Sequence, residues 1–97
     1  MATVLIAPRA ADNLDWLIRT LSLPYDTRDR VRTSLSSLAA FPRIGAPLHG
    51  SWEGFRFLLG PWRWMILVYV YDESTDTVYV VTIQDSRSAE SATSVEI

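Results

Sequence analysis

Within the stretch GFRFLLGPWRW, the most hydrophobic of the chain, stand two arginines seven residues apart, Arg56 and Arg63, and a third, Arg87, follows the last apolar run. A guanidinium is a planar, permanently charged fork that matches the oxygens of phosphate and carboxylate, so these residues are the natural candidates for holding an anion. All nine basic residues are Arg, which excludes chemistry that needs a lysine to shift its pKa and move a proton. His49 is the single imidazole and the only side chain whose ordinary pKa suits general-base work near neutral pH. Cysteine is absent, so a thiolate nucleophile, a thiolate metal site and a disulfide framework are all excluded, which fits a reducing compartment. Asp72, Glu73 and Asp76 have the spacing of a solvated turn, and no glycine-rich phosphate loop is present, so neither a metal nor a cofactor is expected.

Composition bounds what can position these groups. Ninety-seven residues with 48% hydrophobic and 21% charged side chains make one globular domain over 1–97. Its tail from about residue 88 is rich in Ser, Ala and Glu and only weakly hydrophobic, which predicts a loosely held end. The net charge is −2 and the pI about 5.2, so the chain lacks the global field of a tight nucleic-acid binder and any such role needs a local patch. Residues 1–50 carry six Arg against four acids, and Arg28, Arg30 and Arg32 on one helix are expected either as a patch complementary to an acidic protein partner or as a solvated face. No apolar run approaches membrane-spanning length and no basic region precedes a long apolar one at the start, so a cytoplasmic protein without a membrane contact is expected.

The expected fold is α+β in the order β-α-α-β-β-β. Thr3 to Ala7 reads as a strand that Pro8 turns into a helix, where Leu14, Leu17, Ile18 and Leu21 form one apolar stripe as far as Pro24. Asp26 is the expected N-cap of a second, antiparallel helix carrying Val31, Leu35, Leu38 and Ala39, which Phe41-Pro42 closes. Arg43 to Ser51 has loop composition. Three strand-like runs follow, Trp52–Leu59, Trp62–Tyr71 and Thr77–Gln84, joined at Gly60-Pro61 and at Asp72–Asp76 into an antiparallel meander.

Parity then assigns faces. A two-residue Gly-Pro turn sets Arg56 opposite Met65 and Leu58 opposite Arg63, and a four-residue loop keeps the same parity. Phe55, Phe57, Leu59, Trp62, Trp64, Ile66, Val68 and Val70 fall on the other face, a charge-free set expected to lie under the helices. A five-residue second loop pairs Tyr69 with Tyr79, Leu67 with Val81, Met65 with Ile83 and Arg63 with Asp85. Arg56, Arg63 and Arg87 are thereby expected together on the sheet surface that the helices leave open. The plainer alternative is a cross-strand Arg63–Asp85 pair, with Arg56 covering aromatics by its aliphatic stem.

The layout, with Gly54, Arg56, Gly60 and Arg63 in the pattern G-x-R-x-x-x-G-x-x-R and the upstream series Leu38, Pro42, Gly45, Leu48, Gly50, resembles the RelE/ParE toxins of bacterial type II toxin–antitoxin systems over about residues 3–88. The resemblance implies a toxin silenced by a cognate antitoxin. In the ribonuclease branch it makes Arg56, Arg63 and Arg87 the catalytic contacts to the phosphates of ribosome-bound mRNA, with Arg43 and His49 as further RNA contacts. In the non-enzymatic branch the target is DNA gyrase, and a third possibility is an interaction module that keeps the fold without toxicity. The chain departs from the ribonuclease branch in its acidity, its lack of lysine and the absence of an aromatic or imidazole group after Arg87.

Overall fold

A computed structural model describes residues 1–94 of the protein. Strand β1 (Thr3–Ile6) leads through Ala7 into α1 (Pro8–Leu21), where proline occupies the first turn, the one place in a helix where its missing N–H is not needed. Ala10, Leu14 and Leu17 are the buried stripe of α1, and Ser22 in the left-handed region (φ 51°) ends it two residues ahead of Pro24.

The second expected helix is two pieces. Helix α2 (Thr27–Leu35) and a single turn, α3 (Ser37–Ala40), meet at Ser36, whose hydroxyl donates to the Thr33 carbonyl at 2.7 Å. Hydroxyls that bond the preceding turn compete with the helical ladder, and three serines fall at 34, 36 and 37. Asp26 precedes α2 but does not cap it through its side chain; its carboxylate instead takes Arg30 at 3.0 Å.

A two-residue strand β2 (Ala46–Pro47) and a 3₁₀ turn (Gly50–Trp52) interrupt the expected loop, and β3 (Arg56–Leu59), β4 (Met65–Asp72) and β5 (Thr77–Asp85) follow. The sheet order is β1-β5-β4-β3-β2, so the expected meander is extended at both edges, by β1 parallel to β5 and by β2 antiparallel to β3.

The registers differ from expectation in size, and at the second turn in parity. Arg56 faces Tyr69 and Leu58 faces Leu67, because the β3–β4 connection is a four-residue turn, Pro61 to Trp64, closed by the Gly60 N–H on the Met65 carbonyl at 2.8 Å. Between β4 and β5 the turn is Glu73–Asp76, with Asp76 in the left-handed region (φ 50°) that aspartate tolerates; Tyr69 therefore pairs with Val80, not Tyr79. A bulge at Val68/Tyr69 restores parity further along, so Leu67 pairs with Ile83 and Met65 with Asp85.

The largest correction concerns which face the helices cover. Ala10, Leu14, Leu17, Val31, Leu35 and Leu38 pack on Met65, Leu67, Tyr69, Val78, Val80 and Ile83, the face that carries Arg56. Of the expected core set, Phe55, Phe57, Ile66 and Val68 lie on the other side in a smaller cluster with Leu48, Trp52, Val81 and Ala92, whereas Trp62 and Trp64 pack against the helix-covered cluster. Both faces of β4 are apolar, so alternation along MILVYV is silent on the choice. It is made where β1 joins the sheet: α1 leaves β1 after one residue and lies back across β5.

Among the described residues β5 has no strand partner on its outer side beyond Ile6, and α1 supplies a substitute. The Asn13 side-chain oxygen accepts from the Ile83 backbone N–H at 3.2 Å and from the Thr82 hydroxyl at 2.6 Å. Replacing Asn13 by Ala strands two buried donors, and we expect a loss of about 1–3 kcal/mol in a urea titration, with Asn13→Asp retaining more of the stability because it keeps the acceptor.

Candidate functional site

The three arginines singled out from the sequence do not form one cluster on the open sheet face. Arg56 starts β3 on the helix-covered side and is spent on the fold: its Nη1 donates to the Gly45 carbonyl at 2.8 Å. The Gly45 N–H in turn donates to the Tyr69 hydroxyl at 2.9 Å, so the two peptide units flanking Gly45 are each held by a side chain just ahead of β2. Burial pushes the Tyr69 phenol pKa up, against smaller opposing effects of that Gly45 hydrogen bond and the Arg56 charge, and Tyr69 stays a neutral phenol.

Arg63 is not on a strand. It sits exposed in the Pro61–Trp64 turn, with no ion pair among the described residues, so the expected Arg63–Asp85 pair does not form. Asp85 belongs instead to Arg87, which clamps it with Nε at 2.9 Å and Nη2 at 2.8 Å. That hydrogen bonding, helped by the Arg87 backbone N–H, holds the Asp85 carboxyl below the usual carboxylate range and raises the Arg87 guanidinium.

Arg63 and Arg87 nevertheless share one end of the sheet. The Arg87 guanidinium lies 4.8 Å over the ring of Trp64, the neighbour of Arg63, and the Ser86 N–H bonds the Trp64 carbonyl at 2.7 Å. Trp64 stacks on Trp62 with centroids 5.9 Å apart and planes 11° from parallel, and the Arg30 guanidinium of α2 lies over the Trp62 ring at 5.7 Å. The run Arg30–Trp62–Trp64–Arg87 ties α2, the β3–β4 turn and the end of β5 together by cation–π and stacking contacts. Sequence parity missed it, because it treated the two tryptophans as strand residues; their spacing within a Gly-Pro turn was the available signal. Arg56 faces Tyr69, five residues from Trp64 along the β4 segment, about 16 Å at the strand rise.

Arg43 and His49 are elsewhere. Arg43 pairs with Glu73 at 3.1 Å and covers the Tyr71 ring at 4.9 Å, at the opposite end of the sheet from Trp64. Tyr71 donates to Asp76 at 2.7 Å, which with burial raises its pKa. His49 is exposed and lines a cleft of about 690 Å³ on the open face, between the loop 47–52 and the segment 89–94. That segment is tied back by the Ala92 N–H on the Gln84 side-chain oxygen at 2.7 Å, and residues 95–97 of the tail lie outside the described residues. Among the described residues no group of acids and imidazole is placed to hold a metal, and no helix is long and apolar enough to cross a membrane.

The sequence matches no family model and no curated protein. Solved structures do match. The RelBE2 toxin–antitoxin complex of Mycobacterium tuberculosis aligns over 87% of this chain and 96% of its own, with a TM-score of 0.64 and 22% identity. The isolated RelE toxin of E. coli aligns over 93% of this chain and 89% of its own, with a TM-score of 0.65 and 18% identity. This chain has the RelE fold. A third neighbour, YafQ of E. coli, covers 94% of this chain and 100% of its own at a TM-score of 0.63 and 14% identity. On this RelE fold the open face is apolar at its middle, with Ile66 and Val68 buried under Trp52, Phe55 and Ala92, and the free cation Arg63 stands at one end.

Asp85 and Arg87 yield a pH test. A carboxylate whose folded pKa is depressed stabilises the fold above its unfolded value, near 3.9, and that contribution disappears as pH falls through the lower folded value. Asp85→Asn is therefore expected to be less stable than the parent at pH 7, with the gap closing below about pH 3.9, measured by denaturant midpoints across pH.

Proposed function

We propose that this chain is the toxin of a type II toxin–antitoxin pair, silenced by a cognate antitoxin. The observation that carries the reading is the RelE fold over about nine-tenths of the chain, shared with chains solved in toxin–antitoxin complexes from two bacteria. The physical support is an apolar sheet face and several exposed large side chains, among them Trp16, Tyr25, Phe41 and Ile44, of the kind that a partner segment covers. Strong induction of the chain alone is expected to arrest growth, and co-expression of the protein encoded beside it to restore growth. Normal growth after induction alone ends the reading.

For the toxic activity, RNA cleavage of RelE type rests on Arg63 and Arg87, the two arginines that flank Trp64; Arg56 is assigned to folding. Arg63 offers a free guanidinium fork, and Arg87 reaches a phosphate only by leaving Asp85. In a translation extract, Arg63→Ala with Arg87→Ala is expected to abolish message cleavage. Undiminished cleavage removes these residues from the chemistry. The second reading, target binding without catalysis on DNA gyrase, draws support from the neutralisation of Arg87 by Asp85 and from the lack of any arginine among the described residues lining the cleft of His49. It predicts inhibition of supercoiling by the purified chain and no cleavage of message.

A further inference from the structure

Of the two arginines that flank Trp64, Arg63 is exposed and without an ion pair among the described residues, whereas Arg87 already holds an anion. Its Nε and Nη2 donate to the two oxygens of Asp85 at 2.9 and 2.8 Å, and its backbone N–H donates to Asp85 Oδ1 at 2.9 Å. A carboxylate on that edge of a guanidinium presents two oxygens where a phosphate would present its own. Asp85 thus fills, from within the chain, the place that the RNA reading gives to a phosphate.

The two partners differ in freedom. Asp85 is the last residue of β5, paired with Met65, and the Ser86 N–H ties the chain after it to the Trp64 carbonyl at 2.7 Å. The Asp85 side chain is 22% exposed, against 60% for Arg87. The sheet therefore fixes the carboxylate, while the guanidinium extends from a turn with its outer side in solvent. Its other support, the Trp64 ring at 4.8 Å, is a face contact that leaves the N–H edges unused. The guanidinium can turn from Asp85 toward an arriving anion and keep the ring beneath it.

We propose that Asp85 is a positioning residue that competes with the ligand's phosphate for Arg87 and yields it to a single strand of RNA anchored at Arg63. The inference rests on the reading of Arg63 and Arg87 as phosphate contacts. An isolated phosphate at Arg87 must displace Asp85 and then lie beside its negative charge. A strand engages Arg63 first, where no carboxylate competes, and that anchoring raises the effective concentration of a neighbouring phosphate at Arg87. An exposed ion pair is weak enough to open under this competition.

The test is a titration of the purified chain with inorganic phosphate and with a single-stranded RNA hexamer at constant ionic strength, read by tryptophan emission because the Arg87 cation lies over Trp64. Asp85→Asn keeps an acceptor for the Arg87 backbone N–H and is expected to bind both probes about three- to fivefold more tightly than the parent, the fold-change of an exposed ion pair at the upper end of its range. Asp85→Ser, which also keeps an oxygen there, is expected to act alike. Adding Arg87→Ala to Asp85→Asn is expected to cancel the increase, and Glu90→Gln, which removes an equal charge outside the pair, to produce none. Binding by Asp85→Asn no tighter than by the parent overturns the proposal and makes Asp85 a brace for Arg87. An increase that survives Arg87→Ala, or that Glu90→Gln reproduces, overturns it as well, since net charge alone then accounts for the effect. Tighter binding of both probes by Asp85→Asn, with no cleavage of message by either chain, upholds the competition and ends the RNA-cleavage reading alone.

Discussion

Leu67→Ala is expected to destabilise the protein by about 2–5 kcal/mol, enough to unfold much of a marginal domain of this size. Leu67 lies mid-β4, fully buried, opposite Leu58 on one side and Ile83 on the other, beneath the helices. Its strand partners are fixed in β3 and β5 and the helices cover its face, so the vacated volume is filled only at the cost of strand pairing or helix packing and a cavity persists. Leu59→Ala, one strand away but half exposed, is the control and is expected to cost under about 1 kcal/mol. Equal losses in a denaturant titration refute the assignment of the helix-covered face.

Gly45→Ala is expected to cost about 1–3 kcal/mol, the range for forcing a methyl into a packed site, and to disturb the start of β2 as well. A Cβ built there lies 2.6 Å from the Tyr69 hydroxyl oxygen, 2.7 Å from its ring and 2.7 Å from the Phe57 carbonyl. None of these is the far end of a flexible side chain: Tyr69 is fully buried, and the Phe57 carbonyl belongs to a strand. Gly45 is thus a glycine for reasons of space, its backbone approached by Tyr69 and Arg56 at once. Tyr69→Phe removes the hydroxyl but not the ring contact, so it is expected to leave Gly45→Ala destabilised, and by itself to leave the Gly45 N–H without its partner. Arg56→Ala is expected to lower stability in the same assay, whereas Arg63→Ala is not. That contrast separates an arginine used by the fold from one left free for a ligand.

The elements themselves were legible in local chemistry. Pro8, the 3–4 spacing of Leu14, Leu17 and Leu21, and the aromatic and β-branched runs separated by Gly60-Pro61 and Asp72–Asp76 are local signals, and each marks a real helix, strand or turn. So is the parity that sets Arg56, Leu58, Met65 and Leu67 on one side, because a four-residue turn conserves the alternation that a two-residue turn would give. The order of elements, with the glycine and arginine spacing, was also enough to suggest the fold family whose solved members the chain matches.

What residues near in sequence could not settle was everything that depends on a partner distant in sequence. Which face of the sheet carries the helices is decided by β1 docking parallel to β5, a contact across more than seventy residues, while both faces of β4 are hydrophobic enough for either answer. The bulge in β5, the break at Ser36 and the stacking of Trp62 on Trp64 each depend on packing that alternation does not encode. The fate of every arginine followed from those choices, since a guanidinium binds whatever carbonyl, carboxylate or ring tertiary structure brings within reach: Gly45 for Arg56, Asp85 and Trp64 for Arg87, and solvent for Arg63.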